Sequence, residues 1–302
     1  MLVPLMKATF IPRITRCPLA MTTRKPNFAP RHGHLPRELP AGAWAARPWV
    51  CILPPALATL LLLAGCATPG PLHRYSTSAE SPAEIHDAGS DGTTASVPSF
   101  LAVGERLVGF AYDPFTDHFF LRLAPGDLIR VVDRPARAVK REFTVAALAN
   151  ARGGDLAIRP RDGHVFAPHA TEPAVIEFNR FGELIRTLPL DTLNAPPAAL
   201  AYDTLRDRLL ALSGGDLARV TSHDLQGQRL TAVALDRDVA LTTLAYASDQ
   251  HEFYALLTRE SAIGIFNEQG HLLRTLPLSA PAKPTSDVRF LDVGPRSFLR
   301  LF

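Results

Sequence analysis

Cysteine is scarce in this chain, which has three, Cys17, Cys51 and Cys66, among its 302 residues. No Cys-x-x-Cys pair occurs, so the sequence carries no cysteine-based zinc or redox motif. The Gly-x-Ser-x-Gly elbow, the His-Glu-x-x-His helix and the phosphate-binding glycine loop are also absent. These absences take away the motifs that would indicate an enzyme, and the sequence favours a non-enzymatic protein without excluding catalysis.

The last cysteine ends a pattern typical of export signals. Arg47 precedes an apolar run at 49–63, and Leu-Ala-Gly-Cys follows at 63–66. This tetrad resembles the lipobox of bacterial lipoproteins. The resemblance implies cleavage before Cys66, which then carries a thioether-linked diacylglycerol and usually an amide-linked third chain. At about 15 residues the run is shorter than the roughly 20 that a membrane-spanning helix needs, which disfavours an uncleaved transmembrane anchor.

The same resemblance predicts a location, the bacterial cell envelope, with the membrane as a partner through the lipid on Cys66. Ala67 follows the cysteine, where Asp favours inner-membrane retention in enterobacteria, so we expect the outer membrane, facing the periplasm. Residues 1–65 are predicted to be a disordered leader and signal peptide. Their first part, 1–46, is long for the basic region of a signal, and we interpret it as a start-site artefact.

The net charge of the chain changes sign when the leader is left out. Of the 32 Lys and Arg residues, eight lie in 1–65, together with one of the 29 acidic residues. The remainder has 24 basic and 28 acidic residues, a net charge of −4. The basic isoelectric point therefore belongs to the leader, and nucleic-acid binding loses its support in the composition.

Residues 66–98 are predicted to be a lipidated flexible tether. They are dense in Ser, Thr, Ala, Asp, Glu and Gly, and apolar residues are sparse, so burial offsets little of the entropy of ordering them. A strand at 72–75 is the alternative that the pattern leaves open.

From residue 99 onward the chain repeats itself. Residues 178–190 and 266–278 both read Phe-Asn-x-x-Gly-x-Leu-x-Arg-Thr-Leu-Pro-Leu, at an offset of 88 residues. A shorter copy lies between them at 222–230, and a degenerate copy lies at 132–139. A second landmark, an alanine at 111, 157, 201 and 245, recurs at steps of 46, 44 and 44 residues. The period is therefore about 44 residues, which is typical of repeat architectures.

Each repeat can be interpreted as four strands, which in the last full unit are 242–246, 253–257, 262–266 and 272–278. The Asn-x-x-Gly segment suits a hairpin turn with a left-handed glycine, and Pro189 and Pro277 fit only an outer edge strand. Four-stranded units of this length predict an all-β fold, a β-propeller. The repeated phrase resembles NHL and YVTN repeats rather than WD40. Another all-β solenoid or sandwich is the alternative.

Blade number and closure follow from the ends of the repeat region. Four full units end near Leu278 and a fifth begins at Val288, so we predict a propeller domain at 99–302 with five blades. Closing the ring requires N-terminal residues to pair with the C-terminal strands. The candidates are 99–103 and, further upstream, 72–76. Without that pairing the ring would keep an open edge.

The first strand of each blade lines the channel of a propeller, where ligands often bind. Polar residues on those strands are therefore the candidate channel-mouth site, and they are Tyr112, Asp113, Arg159, Tyr202, Asp203, Tyr246 and Asp292. The alternative is that the tyrosines pack between blades and the acids cap strand ends. Histidines and aspartates recur just before the second strands, a spacing that spreads them around the ring, so no metal site is predicted. Calcium, which propeller lactonases hold, is left open.

These observations favour one function over two others. A lipid-anchored envelope propeller that acts as an interaction module for an unknown protein or envelope partner is the leading hypothesis. The alternatives are a metal-dependent propeller hydrolase of the lactonase or esterase kind and a small-ligand sensor at the channel mouth. Fold alone does not decide among them.

Overall fold

The computed structural model describes residues 70–78, 84–148, 154–278 and 288–296. In these ranges it contains twenty strands and one short 3-10 helix at Ala146–Leu148, within the stretch 144–151 that shows the best helical pattern. The strands form five four-stranded antiparallel sheets. No helix in the described residues is long and apolar enough to cross a membrane.

The five sheets are the blades of a propeller, and each runs from an inner to an outer strand. Blade 1 consists of β4 (Arg106–Asp113), β5 (His118–Ala124), β6 (Leu128–Asp133) and β7 (Ala138–Thr144). Blade 2 consists of β8 (Ala157–Arg159), β9 (His164–Pro168), β10 (Ala174–Phe178) and β11 (Leu184–Pro189). Blade 3 consists of β12 (Ala199–Asp203), β13 (Arg208–Ser213), β14 (Arg219–His223) and β15 (Arg229–Ala234). Blade 4 consists of β16 (Ala245–Ala247), β17 (Glu252–Leu256), β18 (Ala262–Phe266) and β19 (Leu272–Pro277). Blade 5 consists of β20 (Val288–Pro295), β1 (Leu72–Ser78), β2 (Glu84–Gly89) and β3 (Thr94–Pro98).

The inner strands close a ring, because β4 contacts β8, β8 contacts β12, β12 contacts β16, β16 contacts β20, and β20 contacts β4. The core lies between neighbouring blades. Phe166 of blade 2, for example, stacks on Tyr202 of blade 3 with ring centroids 5.8 Å apart. Middle strands such as β10 and β17 are buried along their whole length, whereas the outer strands are mostly exposed. The predicted five-bladed all-β fold is confirmed.

The glycine of the repeated phrase serves two purposes. Gly182 and Gly270 have φ of 90° and 84°, the left-handed values predicted for the turn between the third and fourth strands. The Oδ1 atom of Asn179 accepts the Phe181 amide at 2.9 Å and tightens that turn. A Cβ on Gly270 would also overlap the carbonyl oxygen of Ala234, at the end of the outer strand of blade 3. Adjacent blades therefore meet where this residue has no side chain.

The prediction of a tether over 66–98 is wrong from Leu72 onward, because 72–98 contain β1, β2 and β3 of blade 5. The segment is polar in composition but alternates in burial, with Tyr75 and Ile85 fully buried. A buried hydrogen bond between His73 Nδ1 and Asp87 Oδ1, 2.6 Å apart, occupies positions where apolar residues are usual. These two polar residues concealed the alternation of apolar and polar residues that indicates a strand.

The ring closes by pairing of N- and C-terminal strands, as predicted, and of the two candidate segments it is 72–76 that pairs. Residues 99–103 form no strand, and the C-terminal part contributes the inner strand β20, which pairs with β1 in the register Tyr75↔Asp292. The propeller therefore begins at β1, near residue 72, rather than at 99. Cys66 and the leader at 1–65 lie outside the described residues.

Candidate functional site

Five equivalent positions on the inner strands line one cavity of about 370 Å³. Each directly follows the alanine of the landmark or, in the last repeat, the equivalent Leu291, and together they form what we call the channel ring. Residues from the turns that follow the inner strands, such as Pro114 and Asp249, line its mouth. The channel ring consists of Tyr112, Ile158, Tyr202, Tyr246 and Asp292.

Four of the seven predicted site residues belong to this ring, and three do not. Tyr112, Tyr202, Tyr246 and Asp292 line the cavity. Asp113, Arg159 and Asp203 each follow a ring position by one residue, and successive strand residues point to opposite sides. The structure therefore separates the predicted set into two groups with different surroundings.

The three ring tyrosines direct their hydroxyl groups towards acidic side chains. The Tyr112 hydroxyl donates to Asp117 at 3.0 Å and the Tyr202 hydroxyl donates to Asp207 at 2.5 Å. The Tyr246 hydroxyl donates to Glu268 at 3.0 Å, and burial raises the pKa of Tyr246 to about 12. The phenols are therefore neutral near pH 7. The three tyrosines are only 3–7% exposed and pack between blades, which is the alternative that the sequence left open.

Asp113 and Asp203 organise the turns after β4 and β12. Asp113 accepts the Phe115 amide at 3.1 Å and the Nε of Arg180 at 2.7 Å. Asp203 accepts the Leu205 amide at 3.1 Å and is paired with an arginine on β13. These contacts match the strand-end role that the sequence left as an alternative.

Arg159 lies in a buried charge network inside blade 2. It pairs with Asp162 at 2.8 Å and with Glu177 at 3.3 Å, and His164 approaches Glu177 at 2.6 Å. Its guanidinium also lies over the Phe166 ring, 5.8 Å from the centroid. The network joins the first three strands of the blade and lies away from the cavity.

Asp292 is the acidic member of the channel ring. Its carboxylate accepts the Tyr112 amide at 2.6 Å and the Val293 amide at 2.7 Å. Burial raises the pKa of Asp292 to about 7, although these two amides favour the charged form. The inner edge of β4 has no strand partner across the channel, so the carboxylate satisfies an amide that would otherwise lack an acceptor.

Asp155 satisfies the next amide along the same edge, and the sequence did not identify it. It is buried, accepts the Phe110 amide at 3.1 Å and receives a hydrogen bond from the Thr243 hydroxyl of blade 4. Burial raises the pKa of Asp155 well above its ordinary value. Blades 2 and 4 are not neighbours, so this bond crosses the channel. The repeat contained one signal for it: Asp155 is acidic, whereas the residues at the equivalent position of the other repeats are not. They are Gly109, Ala199, Thr243 and Arg289.

No group of three His, Cys, Asp or Glu side chains in the described ranges lies close enough to hold a metal ion. The histidines lie apart in the repeat: His118 and His164 begin β5 and β9, whereas His251 precedes β17 in a left-handed turn, with φ of 56°. The described residues thus give no support to the calcium site of a propeller hydrolase.

Two exposed phenylalanines, each beside a partly buried arginine, adjoin the cavity mouth, and we call these four residues the Arg-Phe patch. The Arg180 guanidinium lies 5.2 Å from the Phe115 ring centroid, and Arg141 lies 4.8 Å from that of Phe181. Phe115 is 53% exposed and Phe181 is 67% exposed. Arg180 donates to the carbonyl of Pro160, a residue of the mouth, at 2.8 Å.

Comparisons with known proteins add similarity in fold and nothing more. No family model and no curated protein matches the chain. A nidogen/laminin complex structure is 8% identical, covering 74% of this chain and 98% of that chain, with a TM-score of 0.48. A protein of unknown function from Bacteroides caccae is 15% identical over 69% of this chain and 73% of that chain, with a TM-score of 0.44. Hydrazine synthase from Kuenenia stuttgartiensis is 12% identical over 58% of this chain and 50% of that chain, with a TM-score of 0.40. At these values the likenesses carry no inference about function.

Proposed function

We propose that this chain is a lipid-anchored protein of the bacterial cell envelope whose propeller binds a protein partner through the Arg-Phe patch. The exposure of Phe115 and Phe181, each beside an arginine, is the observation that carries the proposal. Aromatic residues and arginine are enriched at protein interfaces and supply much of their binding energy. The repeated phrase at 178–190 and 266–278 supports grouping the propeller with NHL- and YVTN-type repeats.

The anchor proposal rests on the Leu-Ala-Gly-Cys tetrad at 63–66 and has a geometric consequence. Gly70 lines the cavity mouth, and it follows Cys66 by four residues, which span at most about 14 Å. A lipid on Cys66 would therefore hold the mouth, and the Arg-Phe patch beside it, close to the membrane. The proposed partner is accordingly a protein in or at the same membrane, and Ala67 favours the outer membrane.

Site-specific crosslinking in cells tests the partner. A photoreactive phenylalanine analogue at position 181 is expected to give one discrete adduct, whereas the same analogue at position 273 is expected to give none. Leu273 is the matched control because it is 50% exposed on the outer strand of blade 4, away from the patch. Adding Phe115→Ala should abolish the adduct. Equal crosslinking from both positions, or none from either, would contradict the proposal.

The anchor has an independent test. Cys66→Ser is expected to stop incorporation of labelled palmitate and to leave the chain uncleaved. A Cys66→Ser protein that still takes up the label would show that the tetrad is not a lipobox.

The other two hypotheses differ in their support. The metal-dependent hydrolase has no supporting cluster in the described residues. A ligand-binding role at the channel mouth is supported by the cavity itself, whose volume of about 370 Å³ lies within the range of small-molecule sites, roughly 300–1,000 Å³.

A further inference from the structure

The cavity of the channel ring has an unusual balance of charge. Among the described residues that line it, two are acidic, Asp249 and Asp292, and none is Lys, Arg or His. Asp292 is half-buried on the inner strand, and Asp249 is exposed at the mouth. An anionic ligand would meet two carboxylates and no cation there. The lining therefore disfavours phosphate, sulfate and carboxylate ligands and favours a positive charge.

Arg180 reaches the mouth, where it donates to the Pro160 carbonyl at 2.8 Å, but it is paired with Asp113 at 2.7 Å. Its charge is therefore compensated by a neighbouring acid.

Two further arginines near the lining are also paired with acids. Arg206 approaches the Tyr246 hydroxyl at 3.5 Å, but its guanidinium forms an ion pair with Glu268. Arg208 pairs with Asp203 at 2.9 Å and with Glu268 at 3.2 Å. Their charges are thus compensated locally, and the uncompensated charge of the cavity is negative.

The walls of the cavity add a second feature. Apart from the two acids, the lining is uncharged and largely apolar, with residues such as Ile158 and Val293. Tyr112, Tyr202 and Tyr246 also touch it, but they are only 3–7% exposed because they pack between blades. An alkylammonium group combines a positive charge with an apolar surface, so it fits an apolar cavity that holds a few acidic groups.

Asp292 retains capacity to bind a ligand. A carboxylate offers about four acceptor positions, and two are taken by the amides of Tyr112 and Val293. Those two hydrogen bonds hold the group in place. Above the raised pKa of Asp292, about 7, a cation would therefore meet a pre-positioned charge rather than a mobile side chain.

We propose that the channel cavity binds a small ligand that carries an ammonium group. This inference deepens the ligand-site hypothesis and is independent of the Arg-Phe patch and its partner. The ammonium group can belong to a free amine or to a lipid headgroup, because Gly70 at the mouth is four residues from the proposed lipid on Cys66.

The test uses the full chain in an uncharged detergent, with choline as the probe and its neutral isostere 3,3-dimethyl-1-butanol as the matched ligand. Calorimetry is expected to show binding of choline and at least about tenfold weaker binding of the alcohol. Equal affinity for the two, or no binding of choline up to about 10 mM by folded protein, overturns the proposal.

Variants locate the site. Asp292→Asn is expected to weaken choline binding about tenfold, a loss of about 1.4 kcal/mol. Asp224→Asn is the control, because Asp224 also accepts two backbone amides, each at 2.9 Å, but does not line the cavity. Should Asp292→Asn fail to fold, Asp249→Asn at the exposed mouth is expected to weaken choline about threefold. Unchanged affinity in a folded variant at either position overturns the assignment.

Two further arms separate the sources and the hypotheses. The choline titration is repeated in nanodiscs of phosphatidylcholine and in nanodiscs of phosphatidylglycerol. If choline binding is lost in the first and persists in the second, the lipid headgroup is the occupant. An unchanged response in both identifies a free amine. Phe181→Ala should leave choline binding intact, so a failure of the partner proposal and a failure of this one give different results.

Discussion

At the scale of single residues, the channel depends on carboxylates that complete an unpaired strand edge. Asp155 and Asp292 accept the amides of Phe110 and Tyr112, which face the channel and have no neighbouring strand. An unsatisfied buried amide costs roughly as much free energy as a lost hydrogen bond. By accepting these amides the two acids stabilise the fold, although burial raises the pKa of each. Their position serves stability, and at Asp292 it also places charge in the cavity.

Asp292 makes stability depend on pH in a defined direction. Its pKa in the folded state, about 7, lies above its ordinary value, so between the two the folded state holds a proton that the unfolded state lacks. Its contribution is therefore fully present below about pH 4 and is lost as the pH rises through about 7. We expect the Tm of the wild type minus that of Asp292→Asn to fall between pH 5 and pH 8.

Comparing the two proteins removes the titrating groups that do not interact with Asp292. Asp155 is not one of them, because the charge of Asp292 contributes to its raised pKa, so a change at Asp155 is part of the measured difference. Burial lowers the pKa of His118 and of His223, so these histidines make the folded state less stable at low pH, the opposite of the effect of Asp292. Both proteins contain them, and their effect cancels in the difference. A difference in Tm that is constant from pH 5 to pH 8 would mean that the pKa of Asp292 is not raised.

The repeat glycine gives a second prediction at this scale. Gly270 and Gly92 both have φ of 84°, but only Gly270 has a carbonyl where a Cβ would stand. Gly92→Ala should lower the free energy of unfolding by about 1–2 kcal/mol, the cost of the left-handed backbone. Gly270→Ala should lower it by about 3 kcal/mol or more, because blade 3 must also move. Denaturant titration measures both, and equal losses would contradict the contact.

At the scale of elements, blade 5 determines whether the ring is closed. Its inner strand β20 comes from the C-terminal side of the domain and pairs with β1 from the N-terminal side over seven residue pairs. The buried Asp87 of β2 also pairs with Arg296 at 2.5 Å, which ties the residue after β20 to the N-terminal strands. Closure therefore couples the two ends of the domain through backbone and charge together.

Removing β20 should open the ring. A chain that lacks 288–302 is expected to aggregate and to lose a single cooperative thermal transition, because the edge of β1 is then unpaired. A chain that lacks only 297–302 is the control and should keep the Tm of the wild type within a few degrees. Size-exclusion chromatography and thermal unfolding distinguish the two. An unchanged transition after loss of β20 would contradict the role of the ladder.

At the scale of the whole molecule, the main consequence is the short distance between the proposed anchor and the cavity mouth. The expected tether of 66–98 is reduced to the residues before β1, which begins at Leu72. A long tether would let the propeller turn freely, whereas a short one orients its mouth. The proposal for the partner depends on that orientation in the cell, whereas ligand binding in the cavity does not.

Orientation can be measured with fluorescent labels in vesicles containing brominated lipid. A label on Asp249→Cys, at the mouth, is expected to be quenched more strongly than one on Asp216→Cys. Asp216 lies in the loop after β13. The turn at the mouth comes before β13, at the other end of the strand, so Asp216 lies away from the mouth. If the lipobox is processed, each variant has a single free thiol, because Cys17 and Cys51 lie in the leader. Equal quenching would contradict a mouth that faces the membrane.

The sequence by itself determined what is local and repeated: the all-β fold, the number of blades, the glycine turns, and the outer position of Pro189 and Pro277. These follow from periodicity and backbone chemistry, which are visible in one chain. The channel ring was partly predictable, since Tyr112, Tyr202 and Tyr246 occupy the same position of three repeats. Tertiary structure alone decided which of the seven candidate residues share the cavity, because that depends on which side of an inner strand faces the axis. It also identified Asp155, whose partners Phe110 and Thr243 are 45 and 88 residues away in sequence, and it turned a polar segment into blade 5, where pairing with β20 supplies the burial that composition alone does not indicate.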